Sequence, residues 1–490
     1  MRWLLTRIFR RRTGGGEPPR TPHVFLTNSL SGAKELFLPI TPGVVLLYTC
    51  GPTVYSRQHI GNLRSGVFSD TLARVFASAG YRVRRVINIT DVGHLVGDGD
   101  TGEDKVEASA KREGRSASAI AEHYTRLFLD DLAELNIDTE DIFFPRASEY
   151  IREQISLARA LEEKGFAYRT SDGLYFDTNR FPGYGKLGGL RDAELKAGAR
   201  VGLNPEKRSP ADFVLWKKTP RGVQRLQEWD SPWGRGAPGW NIECSAMARA
   251  LLGVEIDIHT GGEDLAPTHH NNEIAQSEAA SGRPFAHYWM HNAFLNMGGE
   301  KISKSIGNVV FLSDIIAKGY HPLSLRYFFL QAHYRTPLSF SFEALAGASG
   351  ALERLWNISR ELAKESERCG ARSEARERFL AVMRNDMATP QALGILWDAL
   401  KSEEYTPEEK WGLLEEADKH LGLSLLVPPL SGTLAETEIP DEVKEMLDRR
   451  ETARISKDFK EADRIRNAIE RRGYRVDDGP KGPVLSLTSL

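Results

Sequence analysis

The chain of 490 residues is too long for one ordinary core and is expected to form several domains. Charged residues make up 27% of the sequence and hydrophobic residues 41%, a balance that is typical of a soluble globular protein. The formal net charge of −2 neither favours nor excludes a nucleic acid partner, because such binding depends on local basic patches. No segment approaches the roughly 20 apolar residues that a membrane-spanning helix needs, so no membrane partner is expected.

The cysteines and the N-terminus bear on the cellular compartment. Cys50, Cys244 and Cys369 are too few for a disulfide framework, which favours a reducing compartment and a metal-binding or catalytic use of the thiols. Residues 1–23 form a basic, flexible extension with six arginines against Glu17. An Arg-rich start is typical of a mitochondrial presequence, whereas a disordered tail or an early start codon explains it equally well. We expect a cytoplasmic protein, with organellar import as the alternative.

The first globular segment predicts a βαβ unit. The apolar run Val44–Thr49 reads as a buried strand, and residues 62–79 have helical spacing that Gly80 ends. Residues 81–89 read as a second strand. This order predicts an α/β fold with a doubly wound, Rossmann-like parallel sheet.

Changes in the predicted secondary structure divide the rest of the chain into segments. Segment 143–236, with a predicted helix at 149–164 and hairpin-like strands at 167–176, is interpreted as an insertion into the sheet domain. The chain becomes almost wholly helical beyond about Leu345, and a small mixed domain follows the Pro428-Pro429 linker. The predicted segments are an extension at 1–23, the sheet domain at 24–142 and 237–300 with its insertion at 143–236, a loop and stem-contact region at 301–345, a helical bundle at 346–427 and a C-terminal domain at 428–490.

His59-Ile60-Gly61-Asn62 lies between the first predicted strand and its helix. Ligands of doubly wound sheets bind at the carboxyl ends of strands, where a helix N-terminus offers N–H groups and positive partial charge to phosphates. Gly61 would let the backbone approach a nucleotide closely. On these four residues alone, a loop histidine and a turn glycine remain the favoured interpretation.

A second candidate phosphate-binding segment is Lys301-Ile-Ser-Lys304-Ser, which follows Gly298-Gly299. Two lysines on a Gly-rich loop can fold over a triphosphate and stabilise charge that builds on pyrophosphate. A solvated basic loop is the alternative. The presence of His59-Ile-Gly-Asn in the same chain weakens that alternative.

Four dispersed residues suit a metal ion. Cys50 ends the first strand, Cys244 lies in Asn-Ile-Glu-Cys-Ser, and the four-residue spacing of His269 and Glu273 places both on one face of a helix. Two thiolates, an imidazole and a carboxylate form an acceptable zinc set. Sequence spacing does not bring the distant cysteines together, so two buried structural cysteines are the alternative, and His270 is a rival to His269.

Together the two phosphate-binding segments resemble the ATP motifs of class I aminoacyl-tRNA synthetases. That class usually has a second histidine where this chain has Asn62, and methionine where it has Ile302. Asparagine keeps a hydrogen-bond donor at similar reach but cannot carry charge.

The whole chain from about Val24 is similar to the cysteinyl-tRNA synthetase family. The resemblance is carried by Tyr48-Thr-Cys-Gly-Pro-Thr-Val-Tyr55, Asn88-Ile-Thr-Asp91, Asp212-Phe-Val-Leu-Trp-Lys217, Ser231-Pro-Trp-Gly234, Asn272-Glu-Ile-Ala-Gln-Ser277 and Tyr288-Trp-Met-His291. It implies one zinc ion per chain, held by Cys50, Cys244, His269 and Glu273. It implies ATP contacts by His59, Gly61, Asn62, His259, Asp264, Lys301 and Lys304, of which His59, Asn62, Lys301 and Lys304 act in catalysis, and substrate contacts by Thr53 and Trp240.

The implied activity is that of a cysteine–tRNA ligase. Such an enzyme activates L-cysteine with ATP and Mg²⁺ and transfers the cysteinyl group to the 3′ end of tRNA(Cys). Size alone separates cysteine from serine by only ~1–3 kcal/mol, whereas a soft metal ion binds thiolate far better than hydroxyl. We therefore expect substrate sulfur on zinc and no editing domain. A monomer is favoured.

The C-terminal tail predicts a tRNA contact. From Arg454 to Arg475 eight basic residues stand against four acidic ones, and the pattern predicts one helix that could hold a phosphate backbone. A solvated amphipathic face is the alternative. The family resemblance assigns this segment to a small domain that helps to read tRNA.

Two other functions share some of these features. A ligase that joins cysteine to an amino sugar would share the zinc ligands and ATP motifs, although such enzymes are shorter and lack the tail. A non-catalytic RNA-binding descendant is favoured only by Asn62, and the two lysines together with the four metal ligands argue against it.

Overall fold

The computed structural model describes most of the chain. The described residues are 22–94, 103–187, 204–223, 225–301, 309–366, 370–428, 440–456, 458–470, 472, 474–479 and 482–487. Residues 1–21 of the predicted N-terminal extension, Lys304, Cys369 and Pro429 of the predicted linker lie outside these residues. In the described part of the chain, no helix is both long and apolar enough to cross a membrane.

Sixteen strands and fourteen α-helices occur among the described residues. The strands are β1 (Phe25–Asn28), β2 (Ala33–Leu36), β3 (Val44–Thr49), β4 (Arg82–Ile87), β5 (Ile142–Phe143), β6 (Ala167–Thr170), β7 (Gly173–Phe176), β8 (Phe213–Lys218), β9 (Gly236–Pro238), β10 (Ile256–Gly262), β11 (Ala286–Asn292), β12 (Leu295–Met297), β13 (Glu300–Lys301), β14 (Leu338–Phe340), β15 (Tyr474–Gly479) and β16 (Gly482–Leu487). The helices are α1 (Ile60–Ser78), α2 (Lys105–Glu113), α3 (Ala117–Glu134), α4 (Ile151–Glu163), α5 (Trp240–Leu251), α6 (Asn271–Ser281), α7 (Leu312–Ala317), α8 (Pro322–Leu330), α9 (Phe342–Glu365), α10 (Glu374–Met383), α11 (Thr389–Lys401), α12 (Pro407–Leu421), α13 (Asp441–Ile455) and α14 (Phe459–Glu470).

A five-stranded parallel sheet with the order β11-β10-β3-β4-β5 forms the centre of the fold. The chain runs outward from β3 to β5 and later adds β10 and β11 on the other side of β3. The strand order therefore reverses between β3 and β10, which is where ligands of doubly wound sheets bind. The predicted α/β class and the parallel sheet are confirmed.

The first βαβ unit has the predicted elements. The strand at Val44–Thr49 is buried from its second residue onward, because its apolar side chains are covered on both faces of the sheet. Helix α1 begins two residues before the prediction, and Gly80, at φ +89°, follows its end. A left-handed conformation costs glycine little, so the helix stops there.

Strands β6 to β9 come between β5 and β10 in the chain and form a separate antiparallel sheet with the order β6-β7-β8-β9. Helix α4 packs against α5 and α6, so the inserted segment shares a hydrophobic core with the helices that carry Cys244 and Glu273. The predicted hairpin is formed by β6 and β7, and the predicted helix at 149–164 is α4.

The C-terminal third is helical from Phe342 onward. Helices α9 to α12 share one apolar core with α1 and α8, so the bundle packs directly on the sheet domain. A smaller core is formed by α13, α14 and the β15-β16 hairpin.

The prediction of one basic helix from Arg454 to Arg475 was wrong. Helix α13 ends at Ile455, α14 begins at Phe459, and Arg475 lies in strand β15. Asp458 accepts a hydrogen bond from the backbone N–H of Glu461 at 3.1 Å and starts the new helix. The basic residues of this segment that the structure describes thus lie on two helices, in the turn after α14 and in strand β15.

Candidate metal centre and nucleotide-binding edge

The four predicted metal ligands meet at the reversal point of the sheet. Cys50 follows β3, Cys244 lies on α5, and His269 and Glu273 come from the π-helical turn Ala266–His270 and from α6. The ligand atoms of these four residues all lie within 4.8 Å of one another. The chain thus brings together residues that are far apart in sequence.

Close packing fixes the loop that presents Cys50. A Cβ atom at Gly51 would lie 1.7 Å from the backbone oxygen of Asn88, so only glycine fits beside β4. The N–H of Gly51 donates to Oδ1 of Asn88 at 2.9 Å. These contacts hold Cys50 at the carboxyl end of its strand.

The separations within the cluster suit a tetrahedral ion. Metal–ligand bonds of about 2.0–2.3 Å place neighbouring ligand atoms roughly 3.3–3.8 Å apart. Sγ of Cys50 lies 3.7 Å from Oε1 of Glu273, within this range. Nε2 of His269 lies only 2.6 Å from the same oxygen, a hydrogen bond that an ion would replace. The four residues therefore fit a metal ion after a small outward movement of two side chains.

The cluster favours thiolate on one cysteine. Burial raises the pKa of Cys244, but hydrogen bonds with Cys50 and His269 outweigh it and lower that pKa to about 6. Burial and the neighbouring Cys244 raise the pKa of Cys50 well above its usual value. Burial lowers the pKa of His269, but Glu273 and Cys244 raise it to about 10. Metal binding would thus release protons from Cys50 and His269.

His270, the rival ligand, also faces the cluster. Its Nε2 lies 3.3 Å from Sγ of Cys50, and Cys50, His259, His270 and Glu273 form a second overlapping set of four. Burial and the nearby imidazoles of His259 and His291 lower the pKa of His270, so this ring is neutral. The first set offers two sulfur atoms and the second only one.

His259 lies against one of the candidate metal ligands. Its ring is fully buried, its Nε2 lies 2.5 Å from Oε2 of Glu273, and it stacks on Trp289 at 4.6 Å. His259 thus orients the carboxylate of a candidate metal ligand. The predicted contact between His259 and ATP stays a prediction.

Asn241 and His94 lie beside the cluster and were not identified from the sequence. Oδ1 of Asn241 lies 2.9 Å from Nδ1 of His269 and leaves Nε2 of that ring facing the cluster. Trp240, a predicted substrate contact, stacks on His269 with ring centroids 4.4 Å apart. Trp240 also stacks on His94, with ring centroids 4.0 Å apart and an interplanar angle of 6°.

His59 and Asn62 form the N-terminus of α1. The His59 side chain accepts a hydrogen bond from the N–H of Asn62 at 3.3 Å, and Asn62 is exposed on the first turn. A Cβ atom at Gly61 would lie 3.0 Å from Nδ1 of His59. The histidine therefore lies against the glycine at a helix N-terminus, where an anion is favoured.

Val310, which follows the second ATP motif in the chain, lies next to the first motif. The N–H of Ile60 donates to the backbone oxygen of Val310 at 2.9 Å, just after the lysine segment. Lys301 ends β13, which pairs with β12, whereas Lys304 lies outside the described residues. Asp264 is exposed in the turn after β10. The roles of these residues toward ATP stay predictions.

Comparison with known proteins defines the class and then the family. Residues 36–350 match the family described as the tRNA synthetase class I (C) catalytic domain, so the fold is that of a class I aminoacyl-tRNA synthetase. Residues 436–482 match the cysteinyl-tRNA ligase anticodon-binding domain. The chain belongs to the cysteine–tRNA ligase family, and it is an enzyme of the ligase class.

Curated relatives span nearly the whole chain. The cysteine–tRNA ligase 1 of Burkholderia lata is 47% identical over 464 residues, which cover 94% of this chain and 96% of that protein. The cysteine–tRNA ligase of Chlorobium chlorochromatii is 41% identical and covers 94% of this chain and 98% of that protein.

Solved structures of other synthetases share the fold. A methionyl-tRNA synthetase of Mycobacterium tuberculosis in complex with methionyl-adenylate superimposes with a TM-score of 0.54 at 17% identity, covering 78% of this chain and 91% of that one. A leucyl-tRNA synthetase of Agrobacterium radiobacter gives a TM-score of 0.54 at 11% identity, with coverages of 81% and 86%. At these identities the likeness supports the class I fold alone.

Proposed function

We propose that the chain activates L-cysteine with ATP and transfers the cysteinyl group to the 3′ end of tRNA(Cys), with zinc at the four-ligand cluster. The observation that carries this proposal is the convergence of Cys50, Cys244, His269 and Glu273 at the reversal point of a class I sheet. The substrates are inferred from the family membership, and the selectivity for cysteine is inferred from the metal ligands.

The donor set favours zinc over harder ions. Two sulfur atoms, an imidazole nitrogen and a carboxylate oxygen suit a borderline-soft ion of tetrahedral preference, whereas Mg²⁺ and Ca²⁺ prefer oxygen ligands. Zinc, when bound, would supply a Lewis acid that takes a thiolate readily and an alcohol hydroxyl poorly. Glu273 is the ligand most easily displaced, because His259, which is not in this ligand set, can retain its carboxylate by a hydrogen bond.

The chain's own residues would position the two reactants. Trp240 lies over His269 and closes one side of the amino acid pocket. The N-terminus of α1, with His59 and Gly61, binds the phosphates of ATP by its backbone N–H groups and its positive partial charge. Lys301 and Lys304 balance charge on the leaving pyrophosphate, together with Mg²⁺. The cysteine carboxylate then attacks the α-phosphate in line.

Asn62 stands where the class usually has a second histidine, and it can still bind phosphate. Its backbone N–H already donates to His59, and its exposed amide can donate a hydrogen bond to a phosphate oxygen. We therefore expect activity with this residue present.

The test is ATP–pyrophosphate exchange on the zinc-loaded protein, with cysteine and with serine, followed by charging of tRNA. Cysteine-dependent exchange with charging of tRNA(Cys) is expected, and serine should give at least about a hundredfold less exchange. Cys244→Ala is expected to lose zinc and cysteine activation together.

Other outcomes would lead to a different function. Exchange without charging of any tRNA would favour a ligase that joins cysteine to an amino sugar. Zinc retention and full cysteine activation in Cys244→Ala would refute the metal assignment. A protein that binds tRNA but gives no exchange would be a non-catalytic RNA-binding descendant.

A further inference from the structure

A series of hydrogen bonds connects Lys105, His94 and Thr53 beside the candidate metal centre. Nζ of Lys105 lies 2.7 Å from Nε2 of His94. On the opposite side of the ring, Nδ1 of His94 lies 2.6 Å from Oγ1 of Thr53. The proposed reaction described above uses neither Lys105 nor His94.

The chemistry of the three groups fixes the direction of the hydrogen bonds. An ammonium group can only donate, so Nε2 of His94 accepts and the neutral ring carries its proton on Nδ1. Nδ1 then donates to Oγ1 of Thr53. Because this oxygen accepts from His94, the hydroxyl proton of Thr53 is directed to another acceptor.

The backbone holds His94 and Lys105 together. The N–H of Lys105 donates to the backbone oxygen of His94 at 2.9 Å, in addition to the contact between their side chains. Next to them, the Asp104 carboxylate accepts from the N–H of Gly93 at 2.7 Å and caps α2 through Val106 at 2.8 Å. The two residues therefore keep their relative position through four separate hydrogen bonds.

Thr53 lies next to the candidate metal ligands. It follows Cys50 by three residues at the carboxyl end of β3 and is partly exposed. His94 is 8% exposed, and its ring stacks on Trp240, which stacks on His269. The stacked rings place the Thr53 hydroxyl beside the pocket in which the metal would hold a substrate thiol.

We propose that Lys105 and His94 are positioning residues that direct the Thr53 hydroxyl toward the carboxylate of the amino acid substrate. This inference rests on the proposed function. A substrate held by its sulfur presents an ammonium and a carboxylate, and only the carboxylate accepts a hydrogen bond from a hydroxyl. The positive charge of Lys105 behind the imidazole also favours the carboxylate and disfavours the ammonium.

Two analogues of cysteine, each lacking one of its charged groups, distinguish a contact with the carboxylate from a contact with the ammonium. Cysteamine carries the thiol and the ammonium, whereas 3-mercaptopropionate carries the thiol and the carboxylate. Each is used as a competitor of cysteine in ATP–pyrophosphate exchange by the zinc-loaded, full-length protein. The variants are Thr53→Val, Lys105→Met and the matched control Thr53→Ser, and circular dichroism verifies their folding.

Loss of one hydrogen bond to a charged group corresponds to a factor of about ten or more in affinity. Thr53→Val and Lys105→Met should therefore raise KM for cysteine and Ki for 3-mercaptopropionate about tenfold. The Ki for cysteamine should stay within about twofold, and Thr53→Ser should behave like the parent. Equal kcat values in the variants and the parent would show that the contact is equally strong in the bound substrate and in the transition state.

Three results would overturn the proposal. Equal rises of Ki for both analogues would indicate a structural role, a larger rise for cysteamine would assign the hydroxyl to the ammonium, and unchanged constants would exclude any contact. Cysteine-dependent exchange by the parent protein is tested separately, so failure of the proposed function is distinguishable from failure of this inference.

Discussion

The buried carboxylate of Asp70 joins helix α1 to the helical bundle, and its removal should be strongly destabilising. Asp70 lies on α1 and is 2% exposed. Its oxygens lie 2.6 Å from Arg326, 2.6 Å from Arg74 and 3.3 Å from Arg85. Arg326, on α8, also donates to the backbone oxygen of Leu421 at the end of α12. One carboxylate thus compensates arginines from three parts of the fold.

The pKa of Asp70 indicates how much this arrangement contributes. Burial raises the pKa of Asp70, but Arg326, Arg74 and Arg85 outweigh it and lower the value from 3.8 to about 2. This difference corresponds to about 2 kcal/mol of stability. A depressed carboxyl pKa contributes stability above the unfolded value, so the contribution is lost as the pH falls from 3.8 to about 2.

The substitution Asp70→Asn removes the charge and keeps the shape. Arg326 and Arg85 would then be buried without a carboxylate partner. Removing one partner of a buried ion pair costs about 3–5 kcal/mol of stability, because the remaining charge is uncompensated. We expect this loss in the free energy of unfolding at pH 7, measured by urea denaturation followed by tryptophan fluorescence. The matched control is the exposed Asp130→Asn, expected to change stability by less than about 0.5 kcal/mol.

The pH dependence gives a second measurement of the same contribution. The difference between the parent and Asp70→Asn should shrink as the pH falls below about 4, because the parent loses the same charge by protonation. A loss under about 1 kcal/mol at pH 7, or a difference that does not change with pH, would refute the assignment of stability to this carboxylate.

Two further predictions concern the metal centre. Asn241→Ala should weaken zinc binding about 10- to 100-fold, because His269 loses the partner that fixes its ring, and an unchanged affinity in a competitive chelator titration would contradict this role. Gly51→Ala should cost more than about 2 kcal/mol in urea denaturation, because its Cβ would lie 1.7 Å from the oxygen of Asn88. The control Gly347→Ala, in an open position within α9, should be neutral or stabilise by about 0.5–1 kcal/mol, and equal effects of the two substitutions would refute the packing argument.

The βαβ unit could be predicted from the sequence because its signals are local. The apolar run of β3, the helical spacing of α1 and the glycine at position 80 each act over a few residues. The same rules placed His59-Ile-Gly-Asn at the start of a helix that follows a parallel strand, at the ligand-binding edge, whereas its interpretation as an ATP motif came from the family resemblance.

The metal ligands could be assigned only with the help of the family resemblance. Cys50 and Cys244 meet because the reversal of strand order places β3 next to β10, and no local pattern encodes that reversal. The partner of His259 was missed for the same reason, because Glu273 reaches it from α6 across the end of β10.

His94, Lys105 and Asn241 were not predicted although a signal was present for one of them. His94 follows β4 at the same edge of the sheet as Cys50, so the rule on carboxyl ends of strands would have selected it. The stacking of His94 on Trp240 depends on tertiary packing and could not be read from spacing. The error in the C-terminal tail was avoidable, because Asp458 and Glu461 form a helix-start pattern inside the predicted helix.

The most direct test of the metal centre's role in selecting cysteine is spectroscopic. Zinc is replaced by Co²⁺, which accepts the same ligands and has an absorption spectrum that reports thiolate coordination. Titration with cysteine should increase the thiolate-to-metal absorption by one additional sulfur ligand, and serine at the same concentration should leave the spectrum unchanged. An unchanged spectrum with cysteine, while cysteine-dependent exchange proceeds, would contradict selection of the substrate through its sulfur.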